Sequence, residues 1–483
     1  MKKFFTKRWG QTPSVGVSLI PLLVLALLLV LVIRAFGSDS IMGGSQIALL
    51  SAASVCALLS VGLYGCKWAV LENEIVENIR SSASAIIILL LIGSIAGTWM
   101  VSGVVPTLIC YGLEVLHPSW FLAASCLICA GVSLITGSSW TTIATIGVAL
   151  MGIGRAMEFS EGWVAGAIIS GAYFGDKLSL LSDTTVLASS TCEVPVFEHI
   201  RYMLYTTIPS MVIALVVFLI ASLMHASSGA GDVALYAQAL HSTFHITPWL
   251  LLVPVATGLL IWRKLPALVT LFLATLLAAL ALPIFQPEVM HTLAGGADEG
   301  FLMGFKGVLT ACFGSTALDT GVAEVNDLVA TRGMAGMMNT IWLILCAMCF
   351  GGVMTGSGML SSLTSLFLRW VRRAAGTVAA TVGAGLCFNL ITAHLYISII
   401  LTGRLFKGLF RERGLEPRLL SRAVEDSATV TSVLVPWNSC GMTQATVLGV
   451  ATFTYLPYCI FNYVSPLMSI FVALLGYKIT KKR

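Results

Sequence analysis

The stretch "LPALVTLFLATLLAALALPIF", residues 265–285, indicates the fold class, because it contains no charged side chain. A helix of about 20 apolar residues is long enough to cross the hydrocarbon core of a bilayer. The whole 483-residue chain shows the same trend, with 57% hydrophobic and 10% charged residues. A soluble domain carries about 25% charged residues. Since lipid forces backbone polar groups to pair within a segment, the sequence predicts an all-α polytopic membrane protein.

Apolar runs recur along the chain and predict about 10–12 membrane segments. The candidate spans are 17–36, 44–66, 84–105, 163–190, 202–224, 248–262, 265–285, 337–362, 423–449 and 453–477. Two further stretches, 119–153 and 376–403, have polar centres. The second is flanked by basic residues on both sides, namely Arg369, Arg372 and Arg373 before it and Arg404, Lys407, Arg411 and Arg413 after it. Basic flanks favour the cytoplasm, so both ends lie on one side and the stretch is predicted to be a re-entrant hairpin.

Three pairs of segments match at a nearly constant spacing. "ITGSSW" (135–140) aligns with "ITAHLY" (391–396), "WMVSG" (99–103) with "MTGSG" (354–358), and the acidic stretch around Glu72 with that around Asp327. We therefore expect an internal repeat, with an N-terminal transmembrane helix in 1–40, repeat 1 in 41–230, linking transmembrane segments in 231–295 and repeat 2 in 296–483. We expect inverted copies with broken helices, a recurring design of secondary transporters, although the matches alone leave the orientation open.

Both ends of the chain are basic. The clusters are Lys2, Lys3, Lys7 and Arg8 at the start and Lys481, Lys482 and Arg483 at the end. No small-residue cleavage site follows the first apolar run before Arg34, so this run is predicted to be a retained helix. The positive-inside rule predicts that both termini are cytoplasmic.

A first polar cluster, "GDKLSLLSDTT" (175–185), interrupts an apolar region. Its hydroxyl residues Ser182, Thr184 and Thr185 favour helix breaks. An unwound turn there would present carbonyl, hydroxyl and carboxylate oxygens, which suit Na+. Asp176 and Asp183 are intramembrane acids and therefore candidate sites for a cation or a proton. The alternative is a structural ion pair of Asp176 with Lys177, whose side chain could also reach an interface.

A second cluster, "EDSATVTSVLVPWNSCG" (425–441), repeats this composition. Glu425 and Asp426 are its candidate ion- and proton-binding acids, although acids in the first turn of a helix also favour the helix dipole. Its supporting candidates are Ser427, Thr429 and Asn438. We predict a Na+ site formed by Ser182, Asp183 and Asp426.

The hairpin tips form a third polar group. Its members are Thr136, Gly137, Ser138, Ser139, Thr141, Asn389, Thr392 and His394. Helix N-termini that point inward would present positive dipole ends to an anion or a carboxylate. His394 is interpreted as a satisfied buried histidine, with a proton relay as the alternative.

Missing motifs exclude several classes of protein. The chain has no G-x-x-x-x-G-K-[ST], G-x-S-x-G or H-E-x-x-H motif, so neither an ATP-driven pump nor an intramembrane hydrolase is indicated. We expect no enzyme activity and no cofactor, with Na+ and H+ as transported ions. The net charge of +5 lies mostly at membrane-flanking sites and does not indicate a nucleic-acid partner. The cysteines, including Cys126 and Cys129, are interpreted as small buried apolar residues.

Residues 161–185 and 425–441 resemble the signature stretches of NhaC-type Na+/H+ antiporters, a family that includes sodium-lactate/proton-malate exchangers. The resemblance covers roughly 60–475 and implies exchange of Na+ for H+ across a bacterial inner membrane. It also implies two repeats with re-entrant hairpins. The family's polar motifs fall on Asp176, Ser182, Asp183, Thr184, Glu425, Asp426, Ser427 and Asn438. The chain departs from the pattern at Leu180, where a proline is expected, and at "TAHLY", where a more polar tip is expected.

Three functions are compatible with these observations. The first is a Na+/H+ antiporter, with Asp183 as the main ion-binding carboxylate and Asp176 as the alternative. The second is a Na+- or H+-coupled carrier or exchanger of small carboxylates such as malate and lactate, or of amino acids. The third is a membrane receptor or assembly factor without transport. The expected partners are Na+, H+, a small organic acid, the lipid bilayer and a second copy in a homodimer.

Overall fold

The computed structural model describes residues 10–36, 42–226, 233–263, 265–295, 300–363 and 374–477. Within these ranges the regular elements are helices, and extended pairing is limited to an isolated bridge between Thr316 and Thr331. The predicted all-α class is therefore confirmed. The basic clusters at both termini and at 369–373 lie outside the described residues, so the predicted cytoplasmic termini stay a prediction.

The first half of the chain forms fourteen α-helices in the described ranges. They are α1 (Val15–Phe36), α2 (Gly44–Tyr64), α3 (Trp68–Val101), α4 (Val104–Val115), α5 (Phe121–Thr136), α6 (Ser139–Thr142), α7 (Val148–Ala156), α8 (Glu161–Leu178), α9 (Asp183–Thr191), α10 (Val196–Ala226), α11 (Val233–Thr243), α12 (Leu252–Trp262), α13 (Ala267–Phe285) and α14 (Pro287–Ala294). A π-helical turn, Ile143–Gly147, joins α6 to α7. Short 3₁₀ turns, Pro118–Trp120 and Pro248–Leu251, precede α5 and α12.

The second half of the chain continues with shorter and more interrupted helices. They are α15 (Phe301–Phe313), α16 (Ala323–Val329), α17 (Gly333–Gly336), α18 (Met338–Gly356), α19 (Ala374–Thr392), α20 (Leu395–Glu412), α21 (Pro417–Val424), α22 (Ser439–Leu448), α23 (Thr452–Tyr455) and α24 (Ile460–Leu474). After α21 the chain makes a π-helical turn, Glu425–Thr429, and a 3₁₀ turn, Ser432–Leu434. A 3₁₀ turn, Leu456–Tyr458, follows α23.

Eight helical segments of the described chain are long and apolar enough to cross a membrane. They are Val15–Phe36, Gly44–Tyr64, Trp68–Val101, Pro118–Thr136, Val196–His225, Ala267–Phe285, Gly333–Gly356 and Ala374–Thr392. Two bent pairs raise the number to ten if each pair is one span: Ala234–Thr243 with Pro248–Trp262, bent by 92°, and Thr452–Tyr458 with Ile460–Leu474, bent by 54°. The chain is a multi-pass membrane protein, as predicted.

Both predicted hairpin tips are helix breaks with the same local geometry. The backbone turns at Gly137 (φ 67°) in the first tip and at Ala393 (φ 55°) in the second. The hydroxyl of Thr136 donates to the carbonyl of Ser138 at 3.3 Å, and that of Thr392 donates to the carbonyl of His394 at the same distance. A serine or threonine six residues after each threonine closes both tips with a second hydroxyl contact, at 3.2 and 3.0 Å.

Helix bounds in the two halves also correspond. Helix α9 and the start of α10 at Val196 recur 256 residues later as α22 and the start of α23 at Thr452, and α6 to α7 recur as α20. Side-chain caps recur too: Ser182 accepts the amide of Thr185 at 3.3 Å, and Asn438 accepts that of Cys440 at 3.1 Å. These matches support the internal repeat. The repeat, its inverted orientation and the predicted domain boundaries stay predictions.

Candidate functional site

Two broken helices bring the predicted acids towards the centre of the molecule. Helix α8 ends at Leu178 and α9 begins at Asp183, while the π-helical turn at Glu425–Thr429 interrupts the helix that begins with α21. Such π turns are frequent at functional sites. Four of the acids and bases in this region, Lys177, Arg422, Glu425 and Asp426, are fully buried. Buried charges of this kind are costly in a membrane protein, so they mark a candidate ion site.

Asp176 is held by the tip of the first hairpin. The backbone amide of Ser139 donates to Asp176 Oδ2 at 3.0 Å, and the Ser139 hydroxyl donates to the same oxygen at 2.7 Å. Oδ1 of Asp176 has no hydrogen-bond partner among the described residues, although the residue is only 5% exposed. This oxygen is therefore positioned to accept a cation or to carry a proton.

Asp183 has a different environment. It lies at the exposed start of α9, where the amide of Thr184 donates to its Oδ1 at 2.9 Å and the hydroxyl of Tyr396 donates to its Oδ2. Both oxygens are thus already paired in this structure. The geometry makes Asp176 the better candidate for the main carboxylate, whereas the sequence favoured Asp183.

Glu425 lies deeper and is joined to α9 by hydroxyl groups. The hydroxyls of Ser182 and Thr184 are 2.9 Å apart, and Thr184 Oγ1 donates to Glu425 Oε1 at 3.4 Å. Oε2 of Glu425 has no hydrogen-bond partner in the described part of the chain. Thr184 therefore contacts both Asp183, through its backbone amide, and Glu425, through its hydroxyl. Asp176 and Asp183 are called the outer acids below, because both line the cavity described next.

Asp426 is paired with Lys177, which corrects the predicted partner of this lysine. Lys177 is fully buried and forms an ion pair with Asp426, so it neither neutralises Asp176 nor reaches an interface. Ser465 and Thr206 each donate to Asp426 Oδ1 at 3.2 Å. The predicted cage of Ser182, Asp183 and Asp426 is not assembled here, because Tyr396 and Lys177 occupy the two carboxylates.

Arg422 is a site residue that the sequence analysis missed. Its side chain is fully buried, with Nε 3.9 Å from Asp426 Oδ2 and the guanidinium 4.8 Å from the centre of the Tyr202 ring. The signal was present in the sequence, because Arg422 precedes Asp426 by four residues and such pairs face each other on a helix.

The remaining candidates mainly fix the backbone around the site. Asn389 donates to the carbonyl of Ala428 at 2.7 Å, and Asn438 donates to that of Asn389 at 3.2 Å. Ser427, Thr185 and Thr392 donate to backbone carbonyls, and Thr429 lies four residues after Glu425 on the π turn. His394 is buried as expected but is not satisfied, since neither ring nitrogen has a partner among the described residues.

A cavity of about 400 Å³ reaches the outer acids. It is lined by the first hairpin tip (Thr136 to Thr141), by Asp176, Asp183 and Thr184, by Tyr396, and by parts of α3 and of the α12–α13 connection. Glu425 and Asp426 do not line it. Thr184, which lines the cavity, contacts Glu425 through its hydroxyl.

The fully or almost fully buried charges do not balance. With His199, which is also fully buried, counted as neutral, the acids Asp176, Glu425 and Asp426 outnumber the bases Lys177 and Arg422 by one. An uncompensated buried charge is strongly unfavourable. The arrangement can take up one monovalent cation, either a metal ion or a proton.

Comparison with known proteins identifies the family. The model of the Na+/H+ antiporter family matches residues 171–477, which include both acidic clusters. The chain belongs to the Na+/H+ antiporter family. The predicted resemblance to NhaC-type antiporters is confirmed.

Its relatives have different substrates. The chain is 36% identical to the malate-2H+/Na+-lactate antiporter of Bacillus subtilis, over 87% of each chain. It is 34% identical to the Na+/H+ antiporter NhaC of the same organism, over 87% of this chain and 90% of the relative. It is 32% identical to the arginine/ornithine antiporter ArcD of Halobacterium salinarum, over 98% of this chain and 94% of the relative. These relatives are transporters, and the first two support exchange of Na+ for H+ by members of this family.

Proposed function

We propose that this antiporter exchanges Na+ for H+ across the bacterial inner membrane, using the buried acids as the shared site. The observation that carries the proposal is the buried cluster of three carboxylates and two cations. Because the acids of this cluster outnumber its bases when His199 is neutral, Na+ and H+ compete for the same carboxylates, and this competition couples their movements. No separate site for each ion is required.

The contacts support an order of events. A cation in the cavity meets Asp176, whose Oδ1 has no described partner, and then Thr184, whose hydroxyl contacts Glu425. Arrival of Na+ displaces the proton from these carboxylates. Lys177 and Arg422 keep Asp426 compensated throughout. Movement of one half of the protein against the other would then expose the loaded site to the opposite side.

The test is Na+-driven H+ movement in proteoliposomes with a pH-sensitive dye. We expect wild type to release protons on addition of Na+ alone and Asp176→Asn to lose this response. Asp327→Asn is a matched control, because Asp327 is exposed and lies outside the site. Full activity of Asp176→Asn, with Asp327→Asn also active, would remove Asp176 from the proposed site.

A second candidate function is exchange of Na+ and H+ together with a small carboxylate such as malate or lactate. The similarity to the malate-2H+/Na+-lactate antiporter supports it. In the same assay this candidate requires that Na+ alone moves no protons and that malate or lactate restores the movement.

A further inference from the structure

Resting on the proposed function, we propose that the cavity is a binding site for small organic cations of the guanidinium or alkylammonium type, and that it rejects carboxylates. The site is the cavity between the first hairpin tip, the start of α9 and Tyr396. Such a cation would compete with Na+ for the outer acids. The proposal names a class of organic substrate for this chain, whereas the names of its relatives give different organic substrates.

The cavity is much larger than a bare Na+ ion. Its volume of about 400 Å³ falls in the range of small-molecule sites, about 300–1,000 Å³. Its lining combines hydroxyl groups of the hairpin tip with apolar side chains of Ile88, Leu181 and Leu265. A mixed lining of this kind suits a ligand with one charged end and a small apolar body.

The charge of the lining residues decides the sign of the charge that a ligand should carry. Asp176 and Asp183 both line the cavity, and no lysine, arginine or histidine is among its described lining residues. Arg263 lies between the lining residues Ile261 and Leu265 but does not itself line the cavity. A cleft lined by one sign of charge concentrates ions of the opposite sign. Among the described lining residues a carboxylate would meet two acids and no basic side chain, which is unfavourable.

Two features favour an organic cation over a metal ion alone. Asp176 Oδ1 is buried, unpartnered in the described chain and part of the lining, so it can accept a hydrogen bond from an ammonium or guanidinium group. Trp140 and Tyr396 add aromatic rings to the same lining. Aromatic faces attract organic cations, which are more weakly hydrated than Na+.

The experiment measures binding and competition separately. Isothermal titration of the purified full-length protein in Na+-free detergent buffer uses guanidinium, methylammonium, malate and lactate as probes. Proteoliposomes then report how each probe changes the apparent KM for Na+. We expect guanidinium and methylammonium to bind and to raise this KM at least threefold at saturating concentration. Malate and lactate should neither bind nor change it.

Variants place the binding in the cavity. Trp140→Leu should weaken guanidinium binding by about threefold to tenfold, and Asp183→Asn should weaken it further, while Asp327→Asn should not change it. Guanidinium binding without any Na+/H+ exchange would contradict the proposed function but would still support a site for organic cations in this cavity. Active Na+/H+ exchange without guanidinium binding, or with malate binding equally well, would overturn the inference.

Discussion

Removal of the Lys177 ammonium should strongly reduce stability. Lys177 is fully buried against Asp426, and loss of one member of a buried pair costs about 3–5 kcal/mol. We expect Lys177→Met to lower the thermal unfolding midpoint strongly, because Asp426 then keeps only the more distant Arg422 as a cationic partner. Thermal unfolding in detergent measures this midpoint.

Lys407 provides the control for this prediction. It pairs with Glu193 at 2.6 Å, but it is 33% exposed and its partner 64% exposed. Because exposed pairs contribute about 0–1 kcal/mol, Lys407→Met should change the midpoint little. Equal effects of Lys177→Met and Lys407→Met would contradict the view that Lys177 compensates a buried charge.

The sequence predicted which acids lie within the membrane region, but it did not predict which residues they pair with. The composition of 175–185 and 425–441 identified Asp176, Glu425 and Asp426 as intramembrane acids, and the structure buries all three. The partner of Lys177 could not be predicted, because Asp426 lies 249 positions away and their contact depends on how α8 packs beside the π turn. The pairing of Asp183 with Tyr396 depends in the same way on tertiary packing.

At the scale of elements, the first hairpin tip should tolerate substitution poorly. Gly137 has a φ of 67°, and a Cβ atom there would lie 2.6 Å from the backbone carbon of Leu181. Gly449 has a similar φ of 68°, but its Cβ would meet nothing closer than the end of Arg155, at 3.7 Å. We expect Gly137→Ala to lower stability and Na+-driven H+ movement.

The comparison with Gly449 separates two causes. A left-handed backbone costs a non-glycine residue about 1–2 kcal/mol, and this cost applies to Gly137→Ala and Gly449→Ala alike. The additional loss in Gly137→Ala measures the steric clash of the new methyl group with Leu181. If thermal unfolding shows equal losses for the two variants, the tip has room for a methyl group and the close approach to Leu181 is contradicted.

A second prediction at this scale concerns the ion pair between α20 and the end of α9. The Lys407 ammonium donates to Glu193 and lowers the pKa of that carboxyl below its ordinary value of 4.5. The folded state therefore holds this proton less tightly than the unfolded state, so the pair stabilises above pH 4.5 and its contribution is lost as the pH falls through the lowered pKa. We expect Glu193→Gln to lower the thermal midpoint slightly at neutral pH.

The pH series checks the sign of this effect. The difference between wild type and Glu193→Gln should shrink as the pH falls below 4.5 and the wild-type carboxyl becomes protonated. Glu288→Gln serves as the control, since Glu288 is exposed in the first turn of α14. A difference that grows on acidification would show that the pair does not stabilise the fold.

For the whole molecule, hydropathy and charge predicted an all-α membrane protein, whereas the cavity depends on tertiary packing. Runs such as 265–285 predicted spans, and one of them is α13. Segments 163–190 and 423–449 were correctly expected to break, because their hydroxyl residues favour caps over helix interiors. The cavity could not be predicted, since its walls come from α3, α9, α20 and the first hairpin tip. Only their tertiary arrangement creates it.

The charge balance of the buried cluster leads to a prediction for the complete transport cycle. If the same carboxylates accept either one Na+ or one H+, each cycle moves one positive charge in each direction and no net charge. A net charge would feel about 2.3 kcal/mol per 100 mV of membrane potential. We therefore expect the exchange rate in proteoliposomes to be unchanged when K+ gradients with valinomycin impose a potential of either sign. A rate that rises with one polarity and falls with the other would mean that each cycle moves a net charge, which contradicts the exchange of one Na+ for one H+.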